Sequence, residues 1–387
     1  MLYAAIMALK STSERGMKKK SWQEGFTASI TDAGELCRVL ELPEEYEKYE
    51  RIVSQFPVRI TPYYFSLIDL NDPHDPIARM SIPSDEELDV NGTFDTSGER
   101  SNTAQVGVQH KYKETAQILS TNVCAMYCRH CFRKRLVGLS DAELSKQVDV
   151  AATYVKAHPE ITNVLISGGD SLMNSNEIIR RYLEEFCAVP GLDFIRFGSR
   201  VPVTFPERIY EDEELLELFE RYAGKKPIYL VTQFNHPREV TPESVRAVQA
   251  LQECGIQVRN QTVLLRGVND DAETLGLLLR RLTQNQIVPY YIFQCRPVTG
   301  VVGRFQVPLR EGVRIVDGAK SMQNGIGKSV RYAMSHPRGK IEILGEIEAG
   351  RMLFKFHQNK YPEDTSRIFT ADITDDSTWL DEDLLAT

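Results

Sequence analysis

The run CAMYCRHCFRKR, residues 124–135, decides how the rest of the chain is read. It spaces Cys124, Cys128 and Cys131 as CxxxCxxC. Iron–sulfur clusters are held by thiolates, usually four to a [4Fe–4S] cluster. Three thiolates in one loop can hold three irons and leave the fourth iron without a protein ligand. An open iron accepts a small chelator, and the amino and carboxylate groups of S-adenosylmethionine (SAM) suit that role. One electron from the cluster can then cleave the sulfonium and release a carbon radical. The competing reading is a zinc site with His130 as fourth ligand. Such sites are usually closed tetrahedra built from spaced ligand pairs, and His130 directly adjoins Cys131, which is awkward for chelating one ion.

Outward from that run, short β-branched or aromatic stretches alternate with amphipathic ones. QILSTNV, NVLISG, FIRFGS, IYLVTQF, VRNQTVLL and VPYYIFQ read as strands. Helical patterns lie between them, at about 141–157, 175–188, 213–222, 242–254 and 272–285. About six β–α units in series predict an α/β fold with a parallel sheet, open or closed into a partial barrel. In such folds the loops at the carboxyl ends of the strands carry the site. The cysteine run follows the first strand and Ser167-Gly168-Gly169-Asp170 the second. Arg200 follows the third, Gln233 to His236 the fourth, and Gln294 to Arg296 the sixth. All fall on the expected active face.

Three stretches result: a helical, loop-rich region over 1–115, a barrel core over 116–300, and a C-terminal segment over 301–387. The segment 71–105, rich in Asp, Pro, Ser, Asn and Gly, reads as irregular chain over a surface. SHPRGKIEILGEIEAGRMLFKFH reads as a small hairpin-like β segment, and the acidic tail DDSTWLDEDLLAT as peripheral.

The chain has 387 residues and a net charge of -8, a balance that argues against nucleic-acid or membrane-surface binding. No stretch approaches a spanning helix. In the N-terminal run the apolar residues precede the positive charges, the reverse of a secretory signal, so a cytoplasmic protein is expected. Its seven cysteines should then be thiols; Cys37, Cys187, Cys254 and Cys295 are scattered.

At CAMYCRHCFRKR the sequence resembles the lysine 2,3-aminomutase family of radical SAM enzymes. The resemblance runs from about Trp22 to Lys340. It takes in ITPYYFSLIDLNDPHDP at 60–76, HKY at 110–112, LISGGDSL at 165–172 and RFGSRVPVTFPERI at 196–209. It continues through FNHP at 234–237, NQTVLLRGVND at 260–270 and PYYIFQC at 289–295. It implies a radical SAM partial (β/α)6 TIM-like barrel with a helical N-terminal extension. It also implies a [4Fe–4S] cluster, SAM and pyridoxal 5′-phosphate (PLP) as cofactors. In the reaction it implies, a 5′-deoxyadenosyl radical takes a hydrogen from an amino acid held on PLP, and the nitrogen migrates from the α to the β carbon. The cofactors carry that chemistry and the protein positions them. Expected partners are a small amino acid, an electron donor such as flavodoxin or ferredoxin, and further copies of the chain in a homo-oligomer.

Residue by residue, Cys124, Cys128 and Cys131 match the cluster ligands. Ser167, Gly168, Gly169 and Asp170 match the turn against the SAM methionyl group, where glycines let backbone approach a ligand. His236 and Gln261 match positions near SAM, and Arg133 the arginine that holds the substrate carboxylate. Lys340, in HPRGK, matches the lysine that carries PLP.

The departures are informative. The glycine run before Lys340 is shortened and carries Arg338. Lys111 and Thr115 stand where arginines are expected at the PLP phosphate, with Arg338 as a possible substitute. Arg296 stands where lysine-acting enzymes place an aspartate for the distal ammonium, and Ser335 or His336 at a second such aspartate. An arginine there repels lysine and suits a distal carboxylate, so glutamate is favoured. No cysteine follows Cys295, so the zinc site of some relatives is not expected. The alternatives are a PLP-independent enzyme of the same family, a variant acting on a protein lysine as a branch does on elongation factor P, and a non-catalytic metal-binding protein.

Overall fold

The computed structural model describes residues 22–139, 141–145 and 147–387. The N-terminal run read for an export signal lies outside the described residues. Among those described, twelve strands form one sheet in chain order. They are β1 (Thr103–Gln105), β2 (Val108–Tyr112), β3 (Thr115–Thr121), β4 (Asn163–Gly168), β5 (Phe194–Gly198), β6 (Ile228–Thr232), β7 (Gln257–Leu264), β8 (Val288–Gln294), β9 (Arg331–His336), β10 (Gly339–Glu348), β11 (Arg351–Asn359) and β12 (Ile368–Asp372). Neighbours from β3 to β9 run parallel. Antiparallel strands flank them at both ends, and no pairing joins β1 to β12. The sheet is thus an open arc, the expected partial barrel, with β9 as a seventh parallel strand.

Two short helices, α1 (Ala33–Leu40) and α2 (Tyr46–Val53), lie in the region read as helical and loop-rich. They are separated at Glu41, whose φ is 58°. The parallel crossovers carry α3 (Val148–Ala157), α4 (Asn176–Cys187), α5 (Glu213–Ala223), α6 (Pro242–Glu253), α7 (Ala272–Gln284) and α8 (Leu309–Ser321). Their starts are written in the sequence. Ser175, Asp212, Thr241 and Asp271 each accept a first-turn N–H, and Pro242 follows Thr241 at the position where proline costs nothing. On α4 the buried residues are Ile179, Tyr182, Leu183 and Phe186, one helical stripe laid on the sheet.

The strands have two unlike faces. On β4, β5, β6 and β7, fully buried residues alternate with half-buried ones. The buried set, such as Val164, Ile166, Ile195 and Phe197, belongs to the core under the helices. The half-buried set, such as Ser167, Arg196, Tyr229 and Gln261, lines the inner face. A closed barrel fills that face with packed apolar layers. Here it carries polar and cationic groups around a hollow.

The boundaries at 115 and 300 fall inside this one sheet. The segment 71–105 is neither wholly irregular nor a mere surface wrap: it holds a short helix at Pro76–Ser81, tight helical turns at Asp85–Leu88 and Arg100–Asn102 and strand β1, and Asp75, Glu87 and Glu99 are buried. The tail is not peripheral either. Trp379, Leu380 and Leu384 are buried, Gln294 Nε2 donates to Thr378 O at 2.9 Å, and His336 Nε2 lies 2.8 Å from Asp381 O.

Candidate active site

The cysteine loop leaves β3 and is clamped at its start by the turn after β4. Gly169 N donates to Thr121 O at 2.5 Å and Asp170 N to Val123 O at 2.8 Å. A side chain on Gly168, whose φ is +111°, would put Cβ 2.3 Å from Thr121 O, and one on Gly169 would put it 2.5 Å from Val123 O. Backbone cannot move aside as a side-chain tip can. The glycines therefore admit the cysteine loop, where the sequence suggested a ligand. Gly169→Ala should displace Val123 and Cys124, and reconstitution should yield a protein depleted in iron and sulfide. Full iron content in that variant would show that the clamp does not matter.

Asp170 is buried within the fold. Its Oδ1 accepts from Ser199 Oγ at 2.6 Å and Leu172 N at 3.1 Å, and its Oδ2 from Arg200 N at 2.7 Å. Burial raises this carboxyl to about 6. Asp170 ties the turn after β4 to the turn after β5.

The three thiols are half-buried on the loop. Arg200 Nη1 lies 2.9 Å from Cys128 Sγ, and Arg133 N donates to Cys131 Sγ at 3.3 Å. Arg200 is itself oriented by Gln233 O at 2.9 Å and by an ion pair with buried Glu239. Burial pushes the Cys131 thiol up to about 11 and raises Cys124 well above the usual thiol range, with Asp170 and the other cysteines adding repulsion. Thiolates here call for bound cations, and metal loading would release protons. Among the described residues no three His, Cys, Asp or Glu side chains are placed to hold one metal ion together. A cluster does not ask that of them, since each thiolate binds its own iron. His130 does not complete a zinc site. Its Nε2 accepts from Gln233 Nε2 at 3.0 Å and Asn235 Nδ2 at 3.2 Å. The donor set, with N–H groups aimed at two sulfurs, fits a cluster.

The basic residues of the loop are not a solvated run. Arg129, Lys134 and Arg304 converge on the buried Glu87, with Arg129 Nη2 at 2.6 Å and Arg304 Nη1 at 3.1 Å. Burial works to raise the Glu87 carboxyl, but the three cations hold it down at about 2. Breaking a buried pair strands a charge and costs about 3–5 kcal/mol. Glu87→Gln should lower stability by about that amount in denaturant titration; a loss below about 1 kcal/mol would mean the pairs are replaceable by water. Glu99 performs the second pinning. It takes Arg133 Nε at 2.9 Å and Arg135 Nη2 at 2.7 Å. Arg133 Nη1 continues to Ser167 Oγ at 3.1 Å and Gly168 O at 3.2 Å. Arg133 and Ser167 thus meet beside the cysteine loop. Glu87 and Glu99 have no motif; only acids upstream of a basic loop hinted at them.

Lys340 projects from β10 on the same face as its cross-strand partner Ser335. Its Nζ lies 4.7 Å from the Tyr291 ring centroid and 5.9 Å from those of Tyr112 and Phe293. Burial, then Arg196 and Arg296, brings this amine down to about 7. Lys111 Nζ donates to His336 O at 2.5 Å, and burial with Arg296 and Lys340 brings it also to about 7. Arg196 Nε and Arg296 Nη1 are buried without a hydrogen-bond partner. Such groups carry a desolvation cost that an anion would offset. Lys340, with the cations of Arg196 and Arg296 acting on it, suits attack on an aldehyde carbon. Arg338 does not substitute for the phosphate arginines, because it is paired with buried Asp364 at 2.9 Å.

Gln261 sits on the inner face of β7, paired with Tyr291 of β8. His336 is turned away into the tail. His236 is a capping residue: its Nδ1 accepts from Arg238 N at 3.2 Å, which leaves the proton on Nε2. The structure therefore gathers Arg133, Ser167, Arg296, Lys340 and Lys111 around one hollow, next to the cysteine loop. Arg200, Phe132 and the Tyr112, Tyr291 and Phe293 rings join them with no role assigned from sequence.

An open parallel arc with a three-cysteine loop at its first crossover defines a radical SAM protein, and residues 118–278 match the Radical SAM superfamily profile. That superfamily implies a [4Fe–4S] cluster and SAM. The chain is 37% identical over 308 residues to the L-lysine 2,3-aminomutase of Acetoanaerobium sticklandii, covering 79% of this chain and 73% of that one. The enzyme of the same name from Clostridium subterminale matches to the same extent, 37% over 308 residues, with 79% of this chain and 73% of that one covered. The glutamate 2,3-aminomutase of Clostridioides difficile is 33% identical over 337 residues, covering 86% of this chain and 78% of that one. The chain belongs to this aminomutase family and is an isomerase. No described helix is long and apolar enough to cross a membrane.

Proposed function

We propose that the chain is a PLP-dependent radical SAM 2,3-aminomutase that acts on an acidic amino acid such as glutamate in preference to lysine. The observation that carries this reading is Arg296. It is a guanidinium in the hollow with a buried, unpartnered Nη1, sharing one site with the Lys340 amine. When bound, the reduced cluster and SAM supply a carbon radical, PLP supplies delocalisation for the migrating nitrogen, and a flavodoxin- or ferredoxin-class donor supplies the electron. The chain's residues do the rest. Cys124, Cys128 and Cys131 hold the cluster at the mouth of the arc. Lys340 offers a neutral amine near pH 7 for PLP, and Lys111 is the cation offered to its phosphate. Arg133 holds the α-carboxylate. Arg296 holds the distal carboxylate and repels a distal ammonium.

Arg296→Asp tests the assignment by reversing the charge. Glutamate turnover should fall by about 10²-fold or more in kcat/KM, since a charge-assisted pair becomes a repulsion. Unchanged glutamate turnover would remove Arg296 from the substrate site.

A PLP-independent enzyme of the same family is the second reading, favoured by one observation: Arg338, the substitute phosphate ligand, is spent on Asp364. Failure of the reconstituted protein to retain PLP through gel filtration would select it. A protein-lysine substrate fits poorly with the cations that face the hollow.

A further inference from the structure

Phe132 is the residue on which two guanidiniums meet. The Arg133 Cζ lies 4.6 Å from the Phe132 ring centroid, and the Arg296 Cζ lies 4.1 Å from the same centroid. The two cations therefore stand no further apart than the sum of those distances, both against the one ring. Like charges so close repel, and Arg133 is among the groups that make the Arg296 charge harder to hold. Only part of that repulsion is offset inside the fold. Glu99 is the near carboxylate, and both its oxygens are engaged, Oε1 by Arg133 and Oε2 by Arg135. Among the described residues no hydrogen bond satisfies the Arg296 fork, and its buried Nη1 is without a partner. The pair is arranged for a second anion beside the first.

We infer that Phe132 is a specificity-determining residue that spaces Arg133 and Arg296 as a clamp for a short dicarboxylate. The inference rests on the acidic-substrate reading and deepens it, because it assigns the selection of chain length to one ring. A flat ring attracts both guanidiniums by the cation–π effect, and once Glu99, Ser167 and Gly168 have taken Arg133 Nε and Nη1, Arg133 Nη2 and the Arg296 donors remain for a ligand. Each guanidinium can thus make a charge-assisted contact to one carboxylate. A monocarboxylate meets one guanidinium and leaves the other without an anion. A longer dicarboxylate overshoots the spacing set by the ring.

Calorimetric titration of the reconstituted holoenzyme with non-reacting probes tests this without turnover. Glutarate should bind about tenfold or more tightly than butyrate, and more tightly than adipate, because the second guanidinium adds a charge-assisted contact. Phe132→Ala and Phe132→Leu should each bring the three affinities to within about threefold of one another, as the spacing is lost. The leucine variant keeps most of the volume, and a melting temperature near that of the unaltered protein shows it is folded. Equal binding of glutarate and butyrate by the unaltered protein overturns the clamp. So does an unchanged glutarate preference in both folded variants. A glutarate preference that depends on Phe132, in a protein that does not turn over glutamate, supports the clamp and removes the aminomutase substrate assignment instead.

Discussion

Replacing Cys128 with alanine is expected to abolish reductive cleavage of SAM, and replacing Arg200 with glutamine to weaken it by about 10–100-fold, the usual effect of removing a residue that orients a metal ligand. The two losses have different causes. The alanine takes away one of three thiolates, and two cannot hold a cluster whose fourth iron is already open to ligand. The glutamine keeps every sulfur but removes the guanidinium that lies 2.9 Å from Cys128 Sγ. A cation at that distance favours thiolate over thiol and draws electron density from the sulfur, so its removal should make the cluster harder to reduce. Iron content, the visible spectrum and the midpoint potential separate the cases. The alanine variant should be colourless or nearly so. The glutamine variant should be brown with a lower potential. A glutamine variant with unchanged potential would show that Arg200 serves only Glu239 and the fold.

Lys340→Ala is the second large effect. Incubation with PLP and borohydride should fix the cofactor onto the peptide carrying Lys340 in the unaltered protein, and the alanine variant should lose that modification. The pH dependence follows from the position of the amine. The attacking form is neutral, and Lys340 is brought to about 7 from the usual 10.5, by burial first and then by Arg196 and Arg296. Capture should therefore speed up as pH rises to about 7 and level off above it. A rate still climbing toward pH 10 would mean an ordinary exposed lysine. The same shift acts on stability. Folded Lys340 and Lys111 release their protons near 7, whereas the unfolded chain holds them to about 10.5. Across that window the unfolded state binds more protons, so stability rises with pH.

Much of the fold was legible because its signals are local. NVLISG and VPYYIFQ, at 163–168 and 288–294, are the bounds of β4 and β8. Cap residues such as Thr241 and Asp271 mark where helices start, since a side-chain oxygen beside a free N–H needs no tertiary context. What stayed hidden depends on packing between distant segments. Helix α8 follows a stretch where the alternation fades, and β9 continues the parallel sheet from within what read as a separate hairpin. The tail looked acidic and loose, yet three apolar residues anchor it beneath the β9–β10 turn. Within the site, the cysteines and Lys340 were readable as chemistry. Glu87, Glu99 and Phe132 were not, because an acid or a ring acquires its meaning from the cations brought to it. Asp170 shows the converse: a residue in the expected place whose carboxylate is used by the scaffold.

The most direct test is product analysis after anaerobic reconstitution with iron, sulfide and PLP, followed by SAM, dithionite and either glutamate or lysine. The expected result is 3-aminoglutarate from glutamate and at most a trace of β-lysine from lysine. Efficient formation of β-lysine, or cleavage of SAM with neither β-amino acid formed, would contradict it.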